Sequence, residues 1–131
     1  MSDQSSGEED VRLEKFFPAG YHNCKVHCLS VSRARSIFAT SGQDDVIRIW
    51  SYDKIFGGEK RAILEVPKQE NPISVSLHPL GFFLAMAYTN GFRIYALLQE
   101  AFFLVKEQNL IQCNLVKYSY RGQYLLASNI Y

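Results

Sequence analysis

Short apolar runs recur along this chain of 131 residues at a nearly constant interval. Each run is four to eight residues long and most are β-branched or aromatic, which is typical of strands. The equivalent positions Val31, Leu77 and Tyr118 are 46 and 41 residues apart, and Trp50 and Tyr95 are 45 apart. A period of about 40–45 residues with four strands in each unit is that of a β-propeller blade. The spacing therefore predicts an all-β chain, and a β-sandwich with chance alternation is the alternative.

Turn-forming residues separate the runs and set the limits of the predicted units. The predicted strands are Val11–Phe17, Val26–Val31, Ser36–Ser41, Val46–Trp50, Arg61–Val66, Ile73–Leu77, Phe82–Ala87, Phe92–Tyr95, Ala101–Lys106, Cys113–Tyr118 and Gln123–Ser128. We place one blade at 22–66, a second at 72–106 and a partial blade at 112–131. The strand at 11–17 belongs to the outside of a preceding blade, so the propeller region spans 11–131.

Composition and charge exclude several classes of protein. Hydrophobic residues make up 47% and charged residues 21%, which excludes disorder of the whole chain as well as collagen-like and coiled-coil sequences. The formal charge is +1, so no overall field attracts nucleic acid or an anionic membrane. Residues 1–10 are polar and acidic, which predicts a flexible tail and not a secretory signal. Three cysteines without a framework pattern indicate reduced thiols in the cytosol or nucleus.

The first unit carries the pattern of a WD repeat. It opens with Tyr21-His22, turns at Gly42-Gln43-Asp44-Asp45 and closes with Ile47-Arg48-Ile49-Trp50. These segments resemble the WD-repeat family, whose units are propeller blades. The resemblance implies a partial WD-repeat β-propeller of about two and a half blades plus one outer strand, incomplete as a closed ring.

In the WD-repeat family a His, a Ser or Thr, an Asp and a Trp form a buried hydrogen-bonded chain that locks one blade. His22, Thr40, Asp44 and Trp50 occupy those positions here, so the resemblance implies a structural blade network. A buried carboxylate needs donors, and imidazole and indole N–H groups supply them in a satisfied network. The same His and Asp beside Ser41 also suggest a catalytic triad. The blade context favours the structural interpretation, and we expect no catalytic residue.

The second unit departs from this pattern, since Met86 stands where Thr40 does and Tyr95 replaces Trp50. We therefore expect this unit to be stabilised by apolar packing and not by a buried polar network. A more specific resemblance is carried by three segments: 73–81, 91–98 and the stretch from 103 to 119 that contains Cys113. They are similar to the large cilia- and flagella-associated WD-repeat proteins over about half of the chain.

Other candidate sites have plainer explanations. His22, Cys24, His27 and Cys28 lie close together, but structural zinc sites take two ligand pairs from two places, and we expect no metal. The glycines of 57–60 lack the spacing of a phosphate-binding loop, so we expect no nucleotide or other cofactor.

The resemblance implies a non-catalytic scaffold for protein–protein interaction, a structural or assembly component of the ciliary or flagellar axoneme, beside dynein or its docking partners. The alternative is a general WD-repeat scaffold of a signalling, trafficking or chromatin complex in the cytoplasm or nucleus. The expected partners are proteins of an axonemal or microtubule-associated complex, with no small-molecule substrate, nucleic acid or membrane. A closed ring of six to eight blades needs roughly 250–330 residues. We therefore expect a missing remainder of the chain or a partner to complete it.

Overall fold

Ten strands and one short helix make up the structure, a computed structural model that describes residues 25–59, 61–68, 70–98 and 101–130. The prediction of an all-β chain is confirmed. The elements in chain order are β1 Val26–Val31, β2 Ile37–Gly42, β3 Val46–Ser51, α1 Tyr52–Phe56, β4 Leu64–Pro67, β5 Ser74–Leu77, β6 Phe83–Tyr88, β7 Gly91–Leu97, β8 Phe102–Asn109, β9 Cys113–Tyr118 and β10 Leu125–Asn129. The predicted tail at 1–10 and the predicted strand at 11–17 lie outside the described residues.

The strands form three antiparallel sheets, each built from consecutive strands in chain order. Sheet 1 has the order β1-β2-β3-β4, sheet 2 has the order β5-β6-β7-β8, and sheet 3 pairs β9 with β10. None of the three closes into a barrel among the described residues. Every connection inside a sheet joins neighbouring strands, so each sheet is a simple meander, and only the connection from β3 to β4 contains a helix among the described residues.

Alternation along β6 explains how sheet 2 contacts both of its neighbours. Side chains two residues apart share a face of a strand. Leu84, Met86 and Tyr88 therefore pack towards sheet 1, whereas Ala85 and Ala87 pack towards sheet 3. All five are buried. One strand thus supplies large residues to one interface and small residues to the other.

We call the interface of sheets 1 and 2 the first seam and that of sheets 2 and 3 the second seam. The buried core of the first seam consists of Ile37, Ala39, Ile47, Ile49, Val66, Val75, Leu77, Leu84, Met86, Tyr88 and Leu97. The second seam has a smaller buried core of Ala85, Ala87, Cys113 and Val116. Apolar burial on this scale is the main stabilising contribution to such a stack of sheets.

Tight turns join the first two strands of sheets 2 and 3. Gly81 and Gly122 end these turns with φ values of 79° and 77°, a region that favours glycine. The Gly81 N–H donates to the His78 carbonyl at 2.7 Å, and the Gly122 N–H donates to the Ser119 carbonyl at 2.9 Å. The two turns are therefore the same structure, repeated one unit apart.

Helix α1 occupies part of a segment that the sequence analysis treated only as a connection between strands. The Ser51 side chain caps its first turn by accepting from the Lys54 N–H at 3.4 Å, and Gly57 ends it. Serine at the N-cap, an acidic residue in the first turn and glycine after the last turn are ordinary helix signals. Five residues are too few for hydrophobic periodicity to reveal such a helix.

Candidate functional site

The buried pair Thr40 and Trp50 lies on the face of sheet 1 turned away from sheet 2. The register sets Phe38 opposite Trp50 and Thr40 opposite Arg48. The Trp50 indole N–H donates to the Thr40 hydroxyl at 2.9 Å, and the Phe38 and Trp50 rings stack with centroids 6.2 Å apart. Thr40 and Trp50 are 2% and 3% exposed, so this bond satisfies an indole donor that water cannot reach.

The two other members of the predicted blade network are Asp44 and His22. Asp44 is half-buried and accepts a hydrogen bond from Arg48 Nη1 at 2.5 Å. His22 lies outside the described residues. The structure thus brings Thr40 and Trp50 together and pairs Asp44 with a cation that the sequence analysis did not select. The complete four-residue network stays a prediction.

Among the described residues, each four-stranded sheet has a cross-strand arginine–glutamate pair. Arg48 Nε lies 3.4 Å from Glu65 Oε1 in sheet 1, and Arg93 Nε lies 3.3 Å from Glu107 Oε1 in sheet 2. Both pairs join the third strand of a sheet to its fourth. Sequence reasoning missed them, although an arginine at the same place in both units was the available signal.

Serine hydroxyls link β1, β5 and β9 across the two seams. These are the first strands of the three sheets, and we call them the inner strands. The Leu77 N–H donates to the Ser30 hydroxyl at 2.8 Å, and the Tyr118 N–H donates to the Ser76 hydroxyl at 3.0 Å. Ser30 and Ser76 occupy equivalent positions, one residue before Val31 and Leu77. Sheets 1 and 2 therefore each offer an acceptor to a backbone donor of the next sheet, and the same contact occurs at both seams.

The turns between the first and second strands of the three sheets lie together at one end, which we call the turn end. The Ser32 hydroxyl and the Ala34 N–H both donate to the Pro79 carbonyl at 2.8 Å. The Arg33 guanidinium lies 3.2 Å above the Tyr120 ring centroid and reaches from sheet 1 to the turn of sheet 3. All three units thus contribute to one continuous surface.

His78 holds its own turn and the next one in place. The Leu80 N–H donates to His78 Nδ1 at 3.1 Å, so Nε2 carries the proton of the neutral ring and donates to the Gly122 carbonyl at 3.0 Å. The ring also lies edge-on to Tyr118, with centroids 5.0 Å apart. This geometry matches a structural turn residue and leaves neither nitrogen available as a base.

The possible catalytic triad lacks an accessible nucleophile. Ser41 is fully buried, and its hydroxyl accepts from Lys68 Nζ at 2.7 Å. Alternation along β2 directs Ser41 to the face opposite that of Thr40. A substrate cannot reach this hydroxyl in the folded protein.

Only two of the four possible zinc ligands, His27 and Cys28, belong to the described residues. His22 and Cys24 lie outside the described residues, and among the described residues no group of three His, Cys, Asp or Glu side chains is placed to hold a metal. Burial raises the pKa of the Cys28 thiol, although Lys68 opposes the shift. The protonated thiol is within reach of the Pro72 carbonyl at 3.5 Å. Cys28 is therefore placed as a weak donor at the first seam.

Three curated proteins match most of the chain, and all three carry names that refer to cilia and flagella. Cilia- and flagella-associated protein 57 A of Tetrahymena thermophila is 27% identical over 124 residues, which cover 94% of this chain and 9% of the relative. Protein 57 C of the same organism is 26% identical over 141 residues, covering 98% and 10%. The mouse cilia- and flagella-associated protein 57 is 27% identical over 110 residues, covering 82% and 8%.

These relatives support a cilia- and flagella-associated family for the chain. The chain spans about a tenth of the length of the relatives it matches. No protein-family model matches it. In the part of the chain that the structure describes, no helix is long and apolar enough to cross a membrane.

Proposed function

We propose that this protein is a non-catalytic scaffold for protein–protein interaction in the ciliary or flagellar axoneme. The observation that carries the proposal is the similarity to three proteins named for cilia and flagella, which extends over 82% to 98% of this chain. More specifically, we propose that the protein associates with dynein or its docking partners.

The fold we propose for this role is a segment of a WD-repeat β-propeller. Consecutive four-stranded meanders with a 45-residue interval between Trp50 and Tyr95 support it. The repeated bonds from Ser30 to Leu77 and from Ser76 to Tyr118 support it further, because they relate successive inner strands in the same way. We propose that further chain or a partner protein completes the ring.

The non-catalytic role is supported by the hydrogen bonds of the polar side chains that could otherwise take part in catalysis. Ser41 is buried against Lys68, His78 is bonded through both ring nitrogens, and Trp50 donates to Thr40. Each group stabilises the fold through a specific partner. Repeated loops on a rigid scaffold, in contrast, are suited to binding other proteins.

Localisation of the tagged full-length protein in ciliated cells tests the proposal. We expect the signal along the axoneme to persist after detergent removes the ciliary membrane, because a scaffold is held by protein contacts. The tag alone serves as the control. A signal confined to the cytoplasm or nucleus would contradict the ciliary proposal and favour the general WD-repeat scaffold.

A further inference from the structure

A groove of about 310 Å³ opens at the turn end between sheets 1 and 2. Ile37, Ile49 and Leu97 line it and are at most 5% exposed, so they form an apolar floor. Leu98 also lines the groove, and it is 55% exposed. This volume is at the lower end of ligand pockets, with room for a few side chains and not for a folded domain.

Two cations, Arg35 and Lys54, lie among the residues that line this apolar floor. Both are exposed, and neither forms an ion pair with another residue in the described ranges. No carboxylate is found among the described residues that line the groove. Within the described ranges, the groove therefore combines an apolar floor with two cations and no lining carboxylate.

Arg35 is held in position by its neighbours. Its guanidinium carbon lies 5.4 Å from the centroid of the Phe82 ring, within the range of a cation–π interaction. Its side-chain stem packs against Gly81, where a Cβ atom would come within 2.8 Å of Arg35 Cδ. Glycine at this turn thus permits the close approach that places the cation beside the groove.

From this geometry we propose that the groove binds a short extended segment of a partner protein in which an acidic residue adjoins an aliphatic one. The aliphatic side chain packs on the floor formed by Ile49 and Leu97, and the carboxylate pairs with Arg35 and Lys54. Charge complementarity selects the acidic segment, and apolar burial supplies much of the affinity. This inference rests on the proposed scaffold function, since it names a partner chemistry for that scaffold.

The test is a titration of the full chain with an acetylated, amidated tetrapeptide of alternating aspartate and leucine, followed by NMR of isoleucine and leucine methyl groups. Two further peptides replace aspartate by asparagine or leucine by serine. The test variant is Arg35→Gln/Lys54→Gln. The matched control is Lys106→Gln/Lys117→Gln, which removes the same charge from exposed positions away from the groove.

We expect the methyl resonances of Ile49, Leu97 and Leu98 to shift with the aspartate–leucine peptide. The test variant should bind about tenfold more weakly, while the control variant binds like the parent chain. Both substituted peptides should bind more weakly than the first, and added salt should weaken the binding of the first.

Three results would overturn the inference. The first is no methyl shift up to the solubility limit of the peptide, and the second is equal weakening in the test and control variants. The third is a shift of the same methyl groups when the protein alone is concentrated, which would assign the groove to a second copy. Peptide binding without axonemal localisation would reject the ciliary role alone, and localisation without peptide binding would reject this inference alone.

Discussion

Sheets 1 and 2 have the same strand order, yet they bury different side chains at equivalent positions. In sheet 1 Thr40 accepts a hydrogen bond from Trp50. In sheet 2 the equivalent residues are Met86 and Tyr95, and Met86 lies in the apolar first seam with Tyr88. The Tyr88 hydroxyl lies 3.7 Å from the Met86 sulfur, a weak contact beside the 2.9 Å bond of sheet 1.

The two sheets share two other kinds of polar contact. Both keep an arginine–glutamate pair between their third and fourth strands, and both offer a serine hydroxyl to the next inner strand. The comparison teaches that the backbone pattern does not require the polar pair of sheet 1. Strand alternation and the contacts between inner strands are common to both, whereas the buried pair can be polar or apolar.

The largest expected effect is the loss of apolar packing in sheet 2. Met86 is fully buried in the first seam, so Met86→Ala should leave a cavity and lower the free energy of unfolding by about 2–5 kcal/mol. Urea unfolding measures the change. Met86→Leu is the control, with an expected cost below about 1.5 kcal/mol. Equal effects of the two substitutions would show that Met86 does not hold sheet 2 by filling space.

A smaller effect is expected from the polar pair of sheet 1. Thr40→Val preserves the shape of the side chain but leaves the buried Trp50 N–H without its acceptor, which should cost about 1–3 kcal/mol. Thr40→Ser keeps the hydroxyl and should retain more stability than Thr40→Val. If valine proves as stable as threonine, the bond contributes nothing and the contrast between the sheets is one of packing alone.

Removal of the serine hydroxyl should lower the free energy of unfolding by a similar amount at each of the two seams. Ser30→Ala removes the acceptor of the Leu77 N–H, and Ser76→Ala removes that of the Tyr118 N–H. Each substitution should cost about 1 kcal/mol, because one backbone donor loses a modest net hydrogen bond. Ser128→Ala is the control, because it removes an exposed hydrogen bond to Asn114 Oδ1 inside sheet 3 and no contact between sheets. A large cost at one seam and none at the other would contradict the repetition of this contact.

A further effect is expected at alkaline pH and is absent near neutral pH. Burial raises the pKa of Tyr88 and of Tyr118 to about 12, above the value of 10.0 for an ordinary tyrosine. The folded protein therefore holds these protons more tightly than the unfolded chain, so their contribution is complete below pH 10 and is lost as the pH rises towards 12. Thermal unfolding from pH 9 to pH 12 should show a falling midpoint.

Tyr88→Phe provides the comparison for this pH dependence. It keeps the ring in the first seam but removes one of the two titrating hydroxyls, so the midpoint should fall less steeply with pH. An unchanged slope would show that the Tyr88 hydroxyl ionises as freely in the folded protein as in the unfolded chain.

The sequence predicted the strands better than the contacts between sheets. The bounds of β1 and β9 agree with the predicted runs, because alternation and β-branched residues are local signals. Strand β8 continues to Asn109, beyond the predicted end at Lys106, because its polar end pairs with β7 and polar residues carry no apolar signal.

The serine contacts and the Arg–Glu pairs could not be found by periodicity. Ser30 and Leu77 are 47 residues apart, and only the packing of one sheet on the next joins them. Thr40 and Trp50 were named from a family resemblance, and the structure joins them by a hydrogen bond. Arg48 was part of the matched motif, but its role depends on the register of β3 and β4.

The most direct test of the account is whether the inner strands of successive sheets lie side by side in solution. Nuclear Overhauser effects are expected from the Leu77 amide to the Ser30 β-protons and from the Tyr118 amide to the Ser76 β-protons, since the donor–acceptor distances are 2.8 Å and 3.0 Å. Observation of both, together with the cross-strand effects inside each sheet, is the predicted result. Cross-strand effects inside the sheets with neither of these two contacts would contradict the repeated packing of the sheets.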